Sequence, residues 1–279
     1  DQLRRKSSKI EFFSILLLFF IYIKVNMKAI HLAIPITLLT LFCAAMIFIS
    51  DARWSIGMGI GLVSLVAIFM LKDAIDWRYY QKYPPQLDSQ IKLLLHHVPF
   101  YKQLDDAQQK KFELRLELFK LNHEYRLQPF RNQDEEEEID APEDIKYLSS
   151  VPAIMLTMED DDYLATQIEL LVFYNHPFPS PRYNALHHSE SNIEDKLLIF
   201  SIPNLRKGVL EPFVFLDIAM YEWAKILGKL DMTASWENFE ASYGLTKSQI
   251  EAAIGLTNPD IRAISKLFQV HRSYLHLLK

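Results

Sequence analysis

Two apolar runs near the start of the chain limit its architecture more than anything that follows them. Ala29 to Ile49 carries no charged side chain beyond His31, and Trp54 to Leu71 carries none. Each is close to the roughly 20 residues a helix needs to cross the hydrocarbon core of a bilayer. Only Ser50-Asp-Ala-Arg53 joins them, so the runs must form a tight antiparallel hairpin. A single long core helix would bury that polar joint at a cost. Lys24 and Lys28 precede the hairpin and Lys72, Arg78 and Lys82 follow it, which places both ends on the cytoplasmic side. The sequence therefore predicts a multi-pass protein of the inner (plasma) membrane whose large C-terminal part lies in the cytoplasm.

A third apolar stretch, Phe12 to Ile23, follows Arg4, Arg5, Lys6 and Lys9, in the manner of a signal peptide's basic and hydrophobic regions. No small-residue cleavage site follows it. Met27 stands immediately before the hairpin, so residues 1–26 read as an extension outside the native protein. The expected organisation is 1–26 extension, 27–73 transmembrane hairpin (spans about 29–49 and 54–71), 74–90 juxtamembrane linker and 91–279 soluble domain. Trp77, Tyr79, Tyr80 and Tyr83 in the linker suit an interfacial aromatic belt or packing under the soluble part.

Composition removes several functions. The net charge of −5 and the absence of a basic, aromatic-rich patch argue against nucleic acid as a partner. The lone Cys43 excludes an intramolecular disulfide and a thiolate cluster. With seven glycines and no G-x-G-x-x-G or G-K-[ST], no phosphate-cradling loop is expected.

In the soluble part, Leu87–His97 reads as a short helix. A longer one is capped by Asp105 and carries Phe112, Leu116 and Phe119 to about Tyr125. Residues 134–140 are an acidic loop, and Pro142 opens a helix through Met158. Glu159-Asp-Asp-Asp162 lacks the alternation and glycine of a calcium loop and reads as helix-start charge. Strands are expected at 169–174 and 196–202, and helices at 234–243, 246–254 and 259–278 with Thr246 and Asn258 as caps. Adjacent His187 and His188 would point to opposite sides of a strand, which argues against a shared metal. His271 and His276 read as surface or packing residues.

Between those segments, Phe215–Leu227 places Phe215, Ile218, Ala219, Trp223, Ile226 and Leu227 at helical steps, a buried helix. Its Tyr221-Glu222-Trp223-Ala224-Lys225 has the frame of H-E-x-x-H, in which two histidines one turn apart hold zinc and the glutamate polarises water. The glutamate is present and both histidines are replaced.

Residues 94–230 resemble the cytosolic zinc-dependent peptidase family typified by the bacterial glucose-regulated peptidase MtfA, including its membrane-anchored members. The resemblance rests on features in order. These are Val98-Pro-Phe-Tyr-Lys-Gln-Leu104, Lys111-Phe-Glu-Leu-Arg115, the helix from Ile145 to Met158 with Asp162-Tyr163-Leu164, Leu171-Val-Phe-Tyr-Asn-His-Pro177, and Leu198-Ile-Phe-Ser201. It implies an α+β, zincin-like fold, a mostly helical domain with a small sheet, here behind a transmembrane helical hairpin. It also implies that Tyr221 and Lys225 stand at the metal positions, Glu222 at the general base and Glu237 at a third, acidic position, in a bacterial inner-membrane protein.

An ammonium cannot ligate a cation and repels it, and a phenol with a pKa near ~10 is a poor ligand at neutral pH. A catalytic zinc needs three protein ligands and an open water position. The expectation is a pseudoenzyme with its zinc lost and no cofactor. Lys225, three residues past Glu222, would pair with that carboxylate either in the interior or at the surface. The leading reading is a non-catalytic homologue that binds a protein or peptide, touching it with Glu222, Trp223 and Phe200, on a strand at 197–202 whose edge could accept a peptide. The alternatives are a residual metal-dependent hydrolase using Glu222, with Glu237, and a structural subunit of a membrane complex.

Overall fold

The computed structural model describes residues 28–128, 139–180, 183–212, 214–228 and 230–275. The proposed extension 1–26, the Phe12–Ile23 stretch, most of the acidic run and His276 lie outside them. The chain divides into two compact units that meet at Pro85/Gln86, within the expected linker.

In the first unit, the two apolar runs form helices α1 (Ala29–Ile49) and α2 (Trp54–Met70). They pack through small residues: a Cβ on Gly61 would stand 2.1 Å from Thr40 Oγ1, and one on Gly57 3.0 Å from Cys43 Sγ. Four-residue spacing of the two glycines lets the backbones approach closely. α1 is long and apolar enough to cross a membrane. α2 falls short by itself and continues past a 63° bend into α3 (Lys72–Lys82). Around the pair, large apolar side chains point outward, among them Phe48 (90% exposed) and Phe69 (80%). The backbone N–H of Ala29 donates to Asp76 on α3 at 2.7 Å, and the Lys28 ammonium lies over the rings of Tyr79 and Tyr80.

The second unit is a mostly helical domain with a small mixed sheet. After α4 (Ser89–Leu95), helix α5 (Asp106–Asn122) starts on a capping box: Asp105 accepts from Gln108 N–H while the Gln108 side chain accepts from Asp105 N–H. The expected continuation to Tyr125 is overturned. At His123 the chain turns extended, and Glu124–Leu127 form strand β1, because Tyr125 and its neighbours gain a partner strand 46 residues away. β2 (Ile139–Asp140) leads into α6 (Glu143–Leu156), buried along nearly its whole length. Glu159–Asp162 do not start a helix; they form the turn and loop that leave α6.

Strands β3 (Leu170–Tyr174), β6 (Ser189–Asn192) and β7 (Leu197–Ser201) complete the sheet in the order β2-β1-β3-β7-β6. β1, β3 and β7 are parallel, while β2 and β6 run antiparallel at the edges. A separate hairpin, β4 (Phe178–Ser180) with β5 (Tyr183–His187), precedes β6. β7 is therefore interior, not the edge expected from the sequence. After it come α7 (Ile202–Leu210), α8 (Ile218–Leu227), α9 (Trp236–Tyr243), α10 (Lys247–Ile254) and α11 (Ile261–Leu275). Thr246 caps α10 in a second capping box, as read. Asn258 does not cap α11. It sits at φ +57°, the left-handed conformation asparagine tolerates, and its side chain accepts from Lys247 instead.

Candidate functional site

Helix α8 starts later than its apolar pattern suggests. Asp217, 1% exposed, is its N-cap and accepts from Met220 N–H at 2.9 Å, so Phe215 lies before the helix and is 38% exposed. The second Asp217 oxygen lies 3.3 Å from His271 Nε2, a buried partner on α11. Gly208 on α7 makes room for this start: a Cβ there would meet Leu216 O at 2.6 Å. α8 is in contact with α6, α7, α11 and β6, and Ile218 to Ala224 are all buried. That stretch of the helix has no solvated face for a charge, yet Glu222 sits in its middle with no exposed surface.

Both Glu222 oxygens have donors. Ser189 Oγ donates to Oε1 at 2.9 Å, and Lys225 Nζ donates to Oε2 at 2.8 Å. The same ammonium donates to Ser191 Oγ at 3.1 Å and lies 5.0 Å from the Tyr221 ring centre. Ser189 and Ser191 reach the pair together because alternate residues of a strand share one face. The bonding pattern also fixes their main chain. Ser201 N–H donates to His188 O, with Ser189 opposite Phe200, so the peptide groups of Ser189 and Ser191 point away from β7, toward the sheet's outer edge.

The Tyr221 hydroxyl accepts from Asp260 N–H at 3.1 Å, and burial raises its pKa above that of an ordinary phenol. Asp260 is gripped by Arg262 at 2.9 and 2.7 Å, which together with Lys225 holds its carboxyl below the usual range. The acidic group that the fold brings beside Tyr221 and Lys225 is thus Asp260. Glu237, expected there from the sequence, is exposed in the first turn of α9.

Two other expected contacts belong to the core. Trp223 is fully buried, its indole N–H donating to Ser149 O at 2.8 Å and its ring set edge-on to Phe119. Phe200 is fully buried and stacked on Phe173. Neither can touch a ligand on the folded surface. His187 is buried and His188 half-buried, with burial and the neighbouring His187 lowering the His188 pKa. Among the described residues, no three His, Cys, Asp or Glu side chains gather as a metal centre.

Sequence reading found the Glu222–Lys225 pair and missed Ser189, Ser191, Asp217 and Asp260. Only Asp217 left a local signal, an acidic residue three before a helical amide. The chemistry of the arrangement is that of a neutralised carboxylate. Each of its oxygens holds one donor, a serine hydroxyl on Oε1 and the Lys225 ammonium on Oε2. Compared with models of known families, with curated proteins and with solved structures, the chain matches none.

Proposed function

We propose that this chain is a membrane-anchored, non-catalytic homologue of zinc-dependent peptidases that acts by binding a protein or peptide. The observation that carries this reading is the Lys225 ammonium at 2.8 Å from the buried Glu222 carboxylate. It supplies the positive charge that a zinc ion would supply in the H-E-x-x-H frame and leaves Glu222 unable to serve as a base. Edge strand β6 lies against α8, so a peptide added beside Ser191 would run past the old catalytic helix. This replaces 197–202 as the docking strand. The outward apolar side chains of α1 and α2 favour a hairpin covered by lipid in a bacterial inner membrane, since water-exposed patches of that size are rare.

Zinc per chain in the full-length protein, beside a Tyr221→His/Lys225→His variant, tests the reading. The expected result is none in the wild type and about one in the variant, with Asp260 as third ligand. Adding Asp260→Asn to the variant should then remove it. Zinc in the wild type, or in neither protein, overturns the proposal.

A further inference from the structure

A groove of about 640 Å³ opens between the segment before α8 and helices α9, α10 and α11, away from the Glu222 pair. Its size is that of a small-molecule cleft rather than a channel for several turns of a partner helix. Phe215, Tyr243, Leu245, Ile250 and Phe268 form its walls, and Val214 at its rim is 73% exposed. The ionisable groups among its described lining residues are Tyr243, His271 and Arg272; no carboxylate faces it. Of these, His271 is buried, with Nε2 3.3 Å from the Asp217 carboxylate. Arg272 is exposed, held 5.7 Å from the Tyr243 ring centre, and forms no ion pair among the described residues. An apolar trough with the Arg272 guanidinium at its mouth, unpaired among the described residues, and the Lys207 ammonium 5.1 Å from the ring centre of its Phe215 wall is complementary to an apolar chain ending in negative charge. Guanidinium and carboxylate match as a planar, bidentate pair.

We infer that this groove binds the anion of a long-chain fatty acid, its chain along the aromatic walls and its carboxylate on Arg272. The inference does not depend on the peptidase reading, because no groove residue belongs to the Glu222 site.

The test uses the full chain in phosphatidylcholine nanodiscs with a diazirine-bearing palmitate as the probe, the labelled residues being mapped by mass spectrometry. Labels are expected on α9 to α11, competed by palmitate and not by hexadecanol. Arg272→Glu should lower that labelling by about tenfold, the scale of losing one charge-assisted contact. Ala253→Trp, placed on an exposed turn of α10, should block the groove without disturbing the core. Label confined to 29–70, equal competition by hexadecanol, or labelling unchanged in both variants would overturn the inference. If Arg272→Glu misfolds, the wild-type map and Ala253→Trp decide it alone.

Discussion

Lys225 Nζ lies 2.8 Å from Glu222 Oε2 in a pair where the carboxylate is wholly buried and the lysine side chain is 30% exposed. Removing the lysine strands a buried charge, whereas removing both groups does not. Lys225→Ala should therefore destabilise the folded state by roughly 3 kcal/mol, and Glu222→Met/Lys225→Met should recover most of the loss. Thermal unfolding in mild detergent measures both. A Lys225→Ala loss under about 1 kcal/mol would mean the carboxylate does not depend on the ammonium.

Ser189 is the other donor, and its contribution is separable. Ser189→Ala deletes a hydrogen bond to a charged acceptor and should cost about 1.5–3 kcal/mol. Ser191→Ala, at a half-buried position on the ammonium, should cost less. Equal effects of the two would show that Oε1 is satisfied by another route.

The hairpin offers a matched comparison within one helix. Gly61→Ala drives a methyl group into Thr40 and should cost about 1–3 kcal/mol, while Gly59→Ala meets nothing within 4 Å and should be neutral. Resistance of the two variants to unfolding by dodecyl sulfate separates them. Indistinguishable variants would place the helix contact elsewhere.

His123 sets a pH dependence. Burial lowers its pKa, against the weaker opposing hydrogen bond to the Phe119 carbonyl, and the ring stacks on Phe119 at 4.0 Å. The unfolded imidazole, with pKa about 6.5, then binds a proton that the folded one refuses. Its stabilising effect is full above that value and is lost as pH falls through the folded pKa. Unfolding midpoints should drop as pH falls below about 6.5, and His123→Phe should flatten the drop. An identical slope in the variant would assign the drop to another group.

What the sequence revealed was local. Asp105 with Gln108 and Thr246 with Gln249 are helix starts written within four residues, and Glu222 with Lys225 is a pair written within one turn. What it concealed was tertiary. Glu124-Tyr-Arg-Leu127 continues a helical pattern without a breaker and becomes a strand only because β3 accepts it. Ser189-Glu-Ser-Asn192 has no apolar face to mark it as a strand, since its inward side chains serve the charged pair instead of the core. Trp223 and Phe200 looked like ligand contacts because a sequence does not show which apolar residues the sheet and helices will cover. Glu237 is expected only through the family resemblance, and nothing local marks Asp260, whose backbone N–H the fold brings to Tyr221.

The central seam of the sheet has a consequence for synthesis. β7, the last strand among the described residues, lies between β3 and β6, so the sheet cannot close before residue 201 has left the ribosome. At about 5–20 residues per second, α1 and α2 are complete many seconds earlier, and their contacts are close in sequence. From the completion of β3 at residue 174 until residue 201 emerges, β1 and β3 wait with an open seam, and the nascent domain is most vulnerable to pairing with the wrong strand while β7 is still being translated.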